Sequence, residues 1–136
     1  MDAKILVVDD NPDIIESVKA LFADKESGIS VVGADSGKEA LKILCKEPFH
    51  LVLLDIMMPQ MIGWDVAAKM KEDPKLKDIP IIYLTAKSDD LSRQMGDLSG
   101  EDYIQKPFVG VDLVKRVKDV LIKRQYVISQ LRLFTA

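Results

Sequence analysis

Leu51-Val52-Leu53-Leu54-Asp55 is a run of four apolar residues that stops on a carboxylate. No polar residue alternates through it, so it suits a strand covered on both faces, as in the middle of a parallel sheet. Similar runs flank it. Lys4-Ile5-Leu6-Val7-Val8 runs into Asp9-Asp10, Ile81-Ile82-Tyr83-Leu84 stops at Thr85, and Asp102-Tyr103-Ile104-Gln105 leads to Lys106-Pro107. If these strands are parallel, their C-terminal ends share one edge of the sheet, where open α/β sheets place their ligands. Three carboxylates, a hydroxyl and an ammonium then converge. Two carboxylates about 5 Å apart repel by roughly 3 kcal/mol at an effective dielectric near 20. The edge therefore asks for a divalent cation, and Lys106 suits an anion held opposite it.

Between the runs the pattern turns helical. It predicts strands near 4–8, 29–34, 50–54, 80–84 and 101–104, and helices near 12–25, 37–47, 63–72, 89–98 and 109–124. Asn11-Pro12 opens the first helix with a capping residue and a proline at the first helical position. Ser36, followed three residues later by Glu39, has the spacing of a capping box for the second. Pro48 and Asp73-Pro74 close the second and third helices. Such alternation implies a parallel sheet flanked by helices, with right-handed crossovers.

The bulk properties agree with one globular domain. The chain has 136 residues, of which 48% are hydrophobic and 30% charged, enough to bury a core. A net charge of −3 gives no reason to expect direct nucleic-acid binding, which needs a basic face. Cys45 is the lone cysteine, so no internal disulfide forms and a reducing, cytoplasmic compartment is expected. One turn after Leu41, it reads as a packed thiol. No apolar stretch approaches the roughly 20 residues of a membrane span, and Met1 leads into a strand pattern rather than a signal peptide.

Each site residue also has a plainer reading. Asp9 and Asp10 suit a hard cation such as Mg²⁺, which keeps several waters and takes one or two carboxylates, yet either can serve as an acidic cap on the first helix. Asp55 ends an apolar run, so its carboxylate is expected half-buried, where an unpaired charge is costly. Thr85 and Lys106 are ordinary residues taken singly. The Lys106-Pro107 bond adds to the signal, because a cis bond before proline can aim the lysine inward.

On these residues the chain resembles the receiver domains of two-component response regulators, over roughly residues 3 to 124. Asp9-Asp10-Asn11 is similar to the family's acidic pair, Asp55 to its phospho-accepting aspartate, Thr85 to its hydroxyl and Lys106-Pro107 to its lysine and cis-proline. Leu54-Asp55-Ile56-Met57-Met58-Pro59 followed by Gly63 resembles the loop after the third strand, and Tyr103 stands where the family carries its aromatic switch. The resemblance implies a flavodoxin-like, doubly wound, five-stranded parallel sheet of order 2-1-3-4-5 flanked by five helices.

It also implies a chemistry. Asp55 takes a phosphoryl group from the phosphohistidine of a sensor kinase or phosphotransfer protein. Mg²⁺, or Mn²⁺ in its place, is held by Asp10, Asp55 and the Met57 carbonyl, with Asp9 reached through water. Lys106, Thr85 and the Ala86 amide bind phosphoryl oxygens, and Met57 and Lys87 tune the lifetime of the product. The implied switch is the surface of the fourth helix, fifth strand and fifth helix. Arg93, Glu101, Asp102, Asp112, Arg116 and Lys123 resemble the charged set through which some relatives dimerise when phosphorylated.

The chain departs from the family pattern at three points. Thr85 and Lys106 stand one residue closer than in the commonest form, Ile62 replaces a usual aspartate, and His50 stands before the third strand where an aspartate is common. Two other functions compete: an aspartate-nucleophile phosphatase of the haloacid-dehalogenase type, and a phosphate-independent interaction module. The first expects Asp-x-Asp after the first strand, where Asp9-Asp10-Asn11 stands; the second expects a damaged site. Residues 1–124 are read as the receiver domain and 125–136 as an extension of the last helix or a tail. A 3-4 spacing through Leu113, Val117, Val120, Val127, Leu131 and Phe134, interrupted by Arg124, marks a seam for a partner or a coiled coil.

Overall fold

A computed structural model describes residues 2–86 and 102–135. Five strands, β1 (Ala3–Val8), β2 (Ile29–Ala34), β3 (Leu51–Asp55), β4 (Ile81–Thr85) and β5 (Asp102–Gln105), form one parallel sheet of order β2-β1-β3-β4-β5. The helices among the described residues are α1 (Pro12–Leu21), α2 (Gly37–Lys46), α3 (Gly63–Glu72) and a C-terminal helix (Gly110–Thr135). The helix expected near 89–98 lies outside the described residues. None of the described helices is long and apolar enough to cross a membrane.

The alternation of side chains along each strand divides the apolar residues into two layers. Leu6, Val8, Val52, Leu54, Ile81 and Tyr83 meet Ala40 and Leu44 of α2 and Val66, Ala67 and Met70 of α3. Ile5, Val7, Leu51, Leu53, Ile82 and Leu84 face the other way, against Ile15 and Val18 of α1 and Leu113, Val117 and Leu121 of the C-terminal helix. Runs that are apolar at every position are thus explained: both faces of the central strands are covered.

Side-chain caps set the N-termini of α1 and α2. The Asn11 side chain accepts the Asp13 N–H at 2.9 Å, and the Ser36 hydroxyl accepts the Glu39 N–H at 3.1 Å. Two expectations need correction. α1 ends at Leu21 rather than near residue 25: Phe22 is buried, and Asp24 caps a separate 3-10 turn, Lys25–Ser27, closed by Gly28 at φ 69°. Cys45 is exposed rather than packed. The buried face of α2 is Gly37, Ala40 and Leu44, and Cys45 lies one residue, about 100°, past it. The C-terminal helix runs to Thr135, eleven residues beyond the expected end near 124.

Candidate functional site

The strand period places the site residues before any side-chain chemistry is considered. Asp9 continues the series Ile5, Val7; Asp55 continues Leu51, Leu53; Lys106 continues Ile104. All three therefore fall in register with the layer covered by α1 and the C-terminal helix. Thr85 continues Ile81, Tyr83 and falls in register with the opposite layer.

The C-terminal strand ends bring Asp9, Asp10, Asp55 and Lys106 together. One carboxylate oxygen from each aspartate lies within 4.8 Å of the others. Asp9 is wholly buried and Asp55 is 5% exposed, whereas Asp10 faces solvent. The Lys106 ammonium donates to Asp9 Oδ2 at 2.6 Å and lies 3.4 Å from Asp55 Oδ1. The other Asp9 oxygen accepts the Asn11 N–H at 2.9 Å, and Asp55 Oδ1 accepts the Met57 N–H at 3.3 Å. Asp55 is thus more deeply buried than its sequence suggests. Lys106 bridges the two inward carboxylates, a pairing that local sequence signals do not reveal because its members are 97 positions apart. The Asn11 backbone N–H joins the site through the turn after Asp9-Asp10, where a side chain can accept from a backbone N–H two residues on.

Burial raises the Asp55 pKa from 3.8 to about 6, and the Asp9 charge adds to the rise; Lys106 and the Met57 N–H oppose it without cancelling it. Burial alone would lower Lys106, but its hydrogen bond to Asp9 and the charges of Asp55 and Asp9 outweigh that and raise it. One ammonium does not neutralise three carboxylates. All-oxygen donors crowded with excess negative charge fit a hard divalent cation such as Mg²⁺.

The surrounding backbone is held closely. Lys106 N donates to the Thr85 carbonyl at 2.7 Å, and the Lys106–Pro107 bond is cis. The Thr85 hydroxyl is fully buried and finds no hydrogen-bond partner among the described residues. Gly63 N donates to the Ile56 carbonyl at 2.8 Å, and a Cβ on Gly63 would lie 2.5 Å from the Asp55 carbonyl oxygen. Only glycine allows that approach. Met57 is 58% exposed at the rim, and Ala86 follows Thr85 at the surface.

Tyr103 lies beside Tyr83 in the β4–β5 ladder, half-buried against the core. Its carbonyl accepts from Arg116 Nη1 at 2.9 Å, while Arg116 Nε lies 3.6 Å from Asp102 and 3.8 Å from Asp112. Three residues of the expected dimer face are thus engaged within one chain. Lys123 lies on the C-terminal helix; Lys87, Arg93 and Glu101 lie outside the described residues. Trp64 packs on Tyr83 with ring centroids 4.6 Å apart. His50, at the far edge of the sheet, is exposed and accepts the Lys4 N–H through Nδ1 at 3.0 Å.

Residues 5–118 match the family described as the response regulator receiver domain. The chain belongs to that family. Among its relatives, the response regulator RR06 of Streptococcus pneumoniae is 41% identical over 128 residues, covering 93% of this chain and 56% of that protein. The solved structure of the Vibrio cholerae chemotaxis protein CheY4 is similar with a TM-score of 0.79 at 29% identity, covering 88% of this chain and 99% of that one. A Rhodopirellula baltica structure named as an adenylate cyclase shares the fold over 99% of this chain and 98% of its own, with a TM-score of 0.86 at 22% identity. This receiver chain spans about half the length, or less, of the curated relatives it matches.

Proposed function

We infer that this receiver accepts a phosphoryl group on Asp55 from the phosphohistidine of a sensor kinase or phosphotransfer protein, and signals through the Thr85–Tyr103 region to a partner or output domain. The observation that carries this reading is the convergence of Asp9, Asp10 and Asp55 with Lys106 at one sheet edge. An Asp55 oxygen attacks phosphorus, the bond from phosphorus to the histidine nitrogen breaks with its electron pair leaving on the imidazole, and an acyl phosphate remains. Mg²⁺, or Mn²⁺, held by Asp10, Asp55 and the Met57 carbonyl with Asp9 through water, would supply neutralisation of the phosphoryl oxygens. Lys106 pairs with one of those oxygens, and the Ala86 amide and Thr85 hydroxyl take others.

Thr85 supports the switching part of the reading. A buried hydroxyl without a partner costs about 1–3 kcal/mol, and a bond to the phosphoryl group removes that cost in the phosphorylated state alone. This differential contact draws Thr85 toward Asp55 and leaves space for the Tyr103 ring to turn inward. Met57 and Lys87 tune the lifetime of the phosphorylated state. The chemistry is confined to the chain's own aspartate, with residues 1–124 acting as the receiver and the last helix continuing beyond them to Thr135. Homodimerisation on phosphorylation, through the face that carries Asp102 and Asp112, requires Arg116 to exchange its intrachain partners for those of a second copy.

Acetyl phosphate with Mg²⁺, followed by intact mass measurement, tests the central step. The expected result is a gain of one phosphoryl group that is lost in Asp55→Asn. A variant that still gains it would move the acceptor elsewhere.

A further inference from the structure

Residues that lead into β1, β3 and β4 enclose a cavity of about 340 Å³ together with the C-terminal helix, at the sheet edge opposite Asp55. That volume falls in the range of small-molecule sites. Its apolar lining is Phe49, Ile79, Pro80, Leu121 and Ile128. Phe49, Pro80 and Leu121 are buried, and the Phe49 ring is held by the Lys4 ammonium, 5.3 Å from its centroid. The floor is therefore built before any ligand arrives. Past Leu121 the helix overhangs the sheet, with none of residues 122–133 buried, and the start of this overhang supplies Arg124 and Ile128 as one wall.

Arg124 decides what fits there. It is half-buried, yet it makes no hydrogen bond or ion pair among the described residues. Arg116 of the same helix is by contrast engaged by the Tyr103 carbonyl, Asp102 and Asp112. A guanidinium presents a planar fork of donors that matches the two oxygens of a carboxylate. The other charged residues of the lining, Asp2, Lys75 and Asp78, are exposed, and charges in water contribute little. Their two acids still disfavour an anion that carries several charges. A cationic ligand would set its charge beside Arg124, with no half-buried acid to receive it.

We propose that this cavity binds a small monocarboxylate with an apolar body, an aryl group or a short alkyl chain. The body lies against Phe49, Ile79 and Leu121, and the carboxylate accepts from the Arg124 guanidinium. Binding ties the overhanging helix to the starts of β3 and β4, and it uses no group of the Asp55 site.

The probes are phenylbutyrate, its neutral counterpart phenylbutanol and the cationic phenylbutylamine, each titrated into the full unphosphorylated chain and followed by amide NMR shifts. Phenylbutyrate is expected to bind with a Kd of about 1 mM or tighter, and about tenfold better than the alcohol or the amine. The shifts should centre on Phe49, Ile79 and Leu121. Arg124→Gln should bring phenylbutyrate down to the alcohol's level, and Ile128→Asp should weaken both, each at unchanged melting temperature. Equal binding of phenylbutyrate and the alcohol, preference for the amine, or no saturable binding overturns the proposal. So do shifts centred on Asp55, or a phenylbutyrate affinity that survives Arg124→Gln.

Discussion

At the scale of single residues, the buried carboxylates dominate. Asp55 titrates near 3.8 when unfolded and at about 6 when folded, so the folded chain binds its proton more tightly. Between those values the folded state holds more protons, and stability falls as pH rises from about 4 to 6. The fall from this group is roughly 2–3 kcal/mol. Lys106, raised above its usual 10.5, keeps its contribution across that window and loses it only as pH rises through its folded value. Metal-free Asp55→Asn should therefore be more stable than the natural chain at pH 7.5, with the advantage shrinking toward pH 4. Urea unfolding at the two pH values measures it, and an advantage independent of pH would contradict the assignment. The same crowding predicts that millimolar Mg²⁺ raises the melting temperature by mass action and that Asp55→Asn weakens the rise. Lys106→Met removes the cation that bridges Asp9 and Asp55. It should cost the metal-free protein about 3–5 kcal/mol, since it strands a buried charge, and a melting temperature within error of wild type would exclude the bridge as a structural element.

At the scale of elements, the turn from β3 into α3 holds Asp55 in place. Gly63 approaches the Asp55 carbonyl so closely that Gly63→Ala sets a Cβ 2.5 Å from that oxygen and 2.9 Å from Ile56 Cα. Both are backbone atoms, so the loop itself must shift, at a cost of about 1–3 kcal/mol. The expected outcome is a lower melting temperature together with slower phosphorylation by acetyl phosphate; loss of stability with an unchanged rate would separate Gly63 from the positioning of Asp55. On the other side of the sheet, Arg116 ties β5 to the C-terminal helix through the Tyr103 carbonyl. Its two ion pairs are partly exposed, and such pairs contribute below about 1 kcal/mol each. The hydrogen bond to the strand is therefore the main link between the Tyr103 backbone and the helix.

At the scale of the whole molecule, the two-layer core ends where the C-terminal helix leaves the sheet. Truncation after Lys123 removes no buried residue among those described, so stability should change by no more than about 0.5 kcal/mol and phosphoryl acceptance should persist. Chemical unfolding of the truncated chain checks this, and a larger loss would mean that the overhang supports the core. The amino-acid sequence alone specified the sheet, because Leu51–Leu54 and its counterparts are apolar at every position and only a strand covered on both faces accepts that. It also determined the candidate site, because each run stops on Asp9-Asp10, Asp55, Thr85 or Lys106 and parallel strands bring those stops to one edge. Tertiary packing set the rest: Asp9 turns inward while Asp10 faces water, Lys106 bridges Asp9 and Asp55, and the Thr85 hydroxyl is buried without a partner among the described residues. It alone decided that Cys45 is exposed and that Arg116 closes on its own chain. Local periodicity fixes which side chains alternate. What covers each face, and which charge meets which at a strand end, is set by segments as distant in sequence as Asp9 and Lys106.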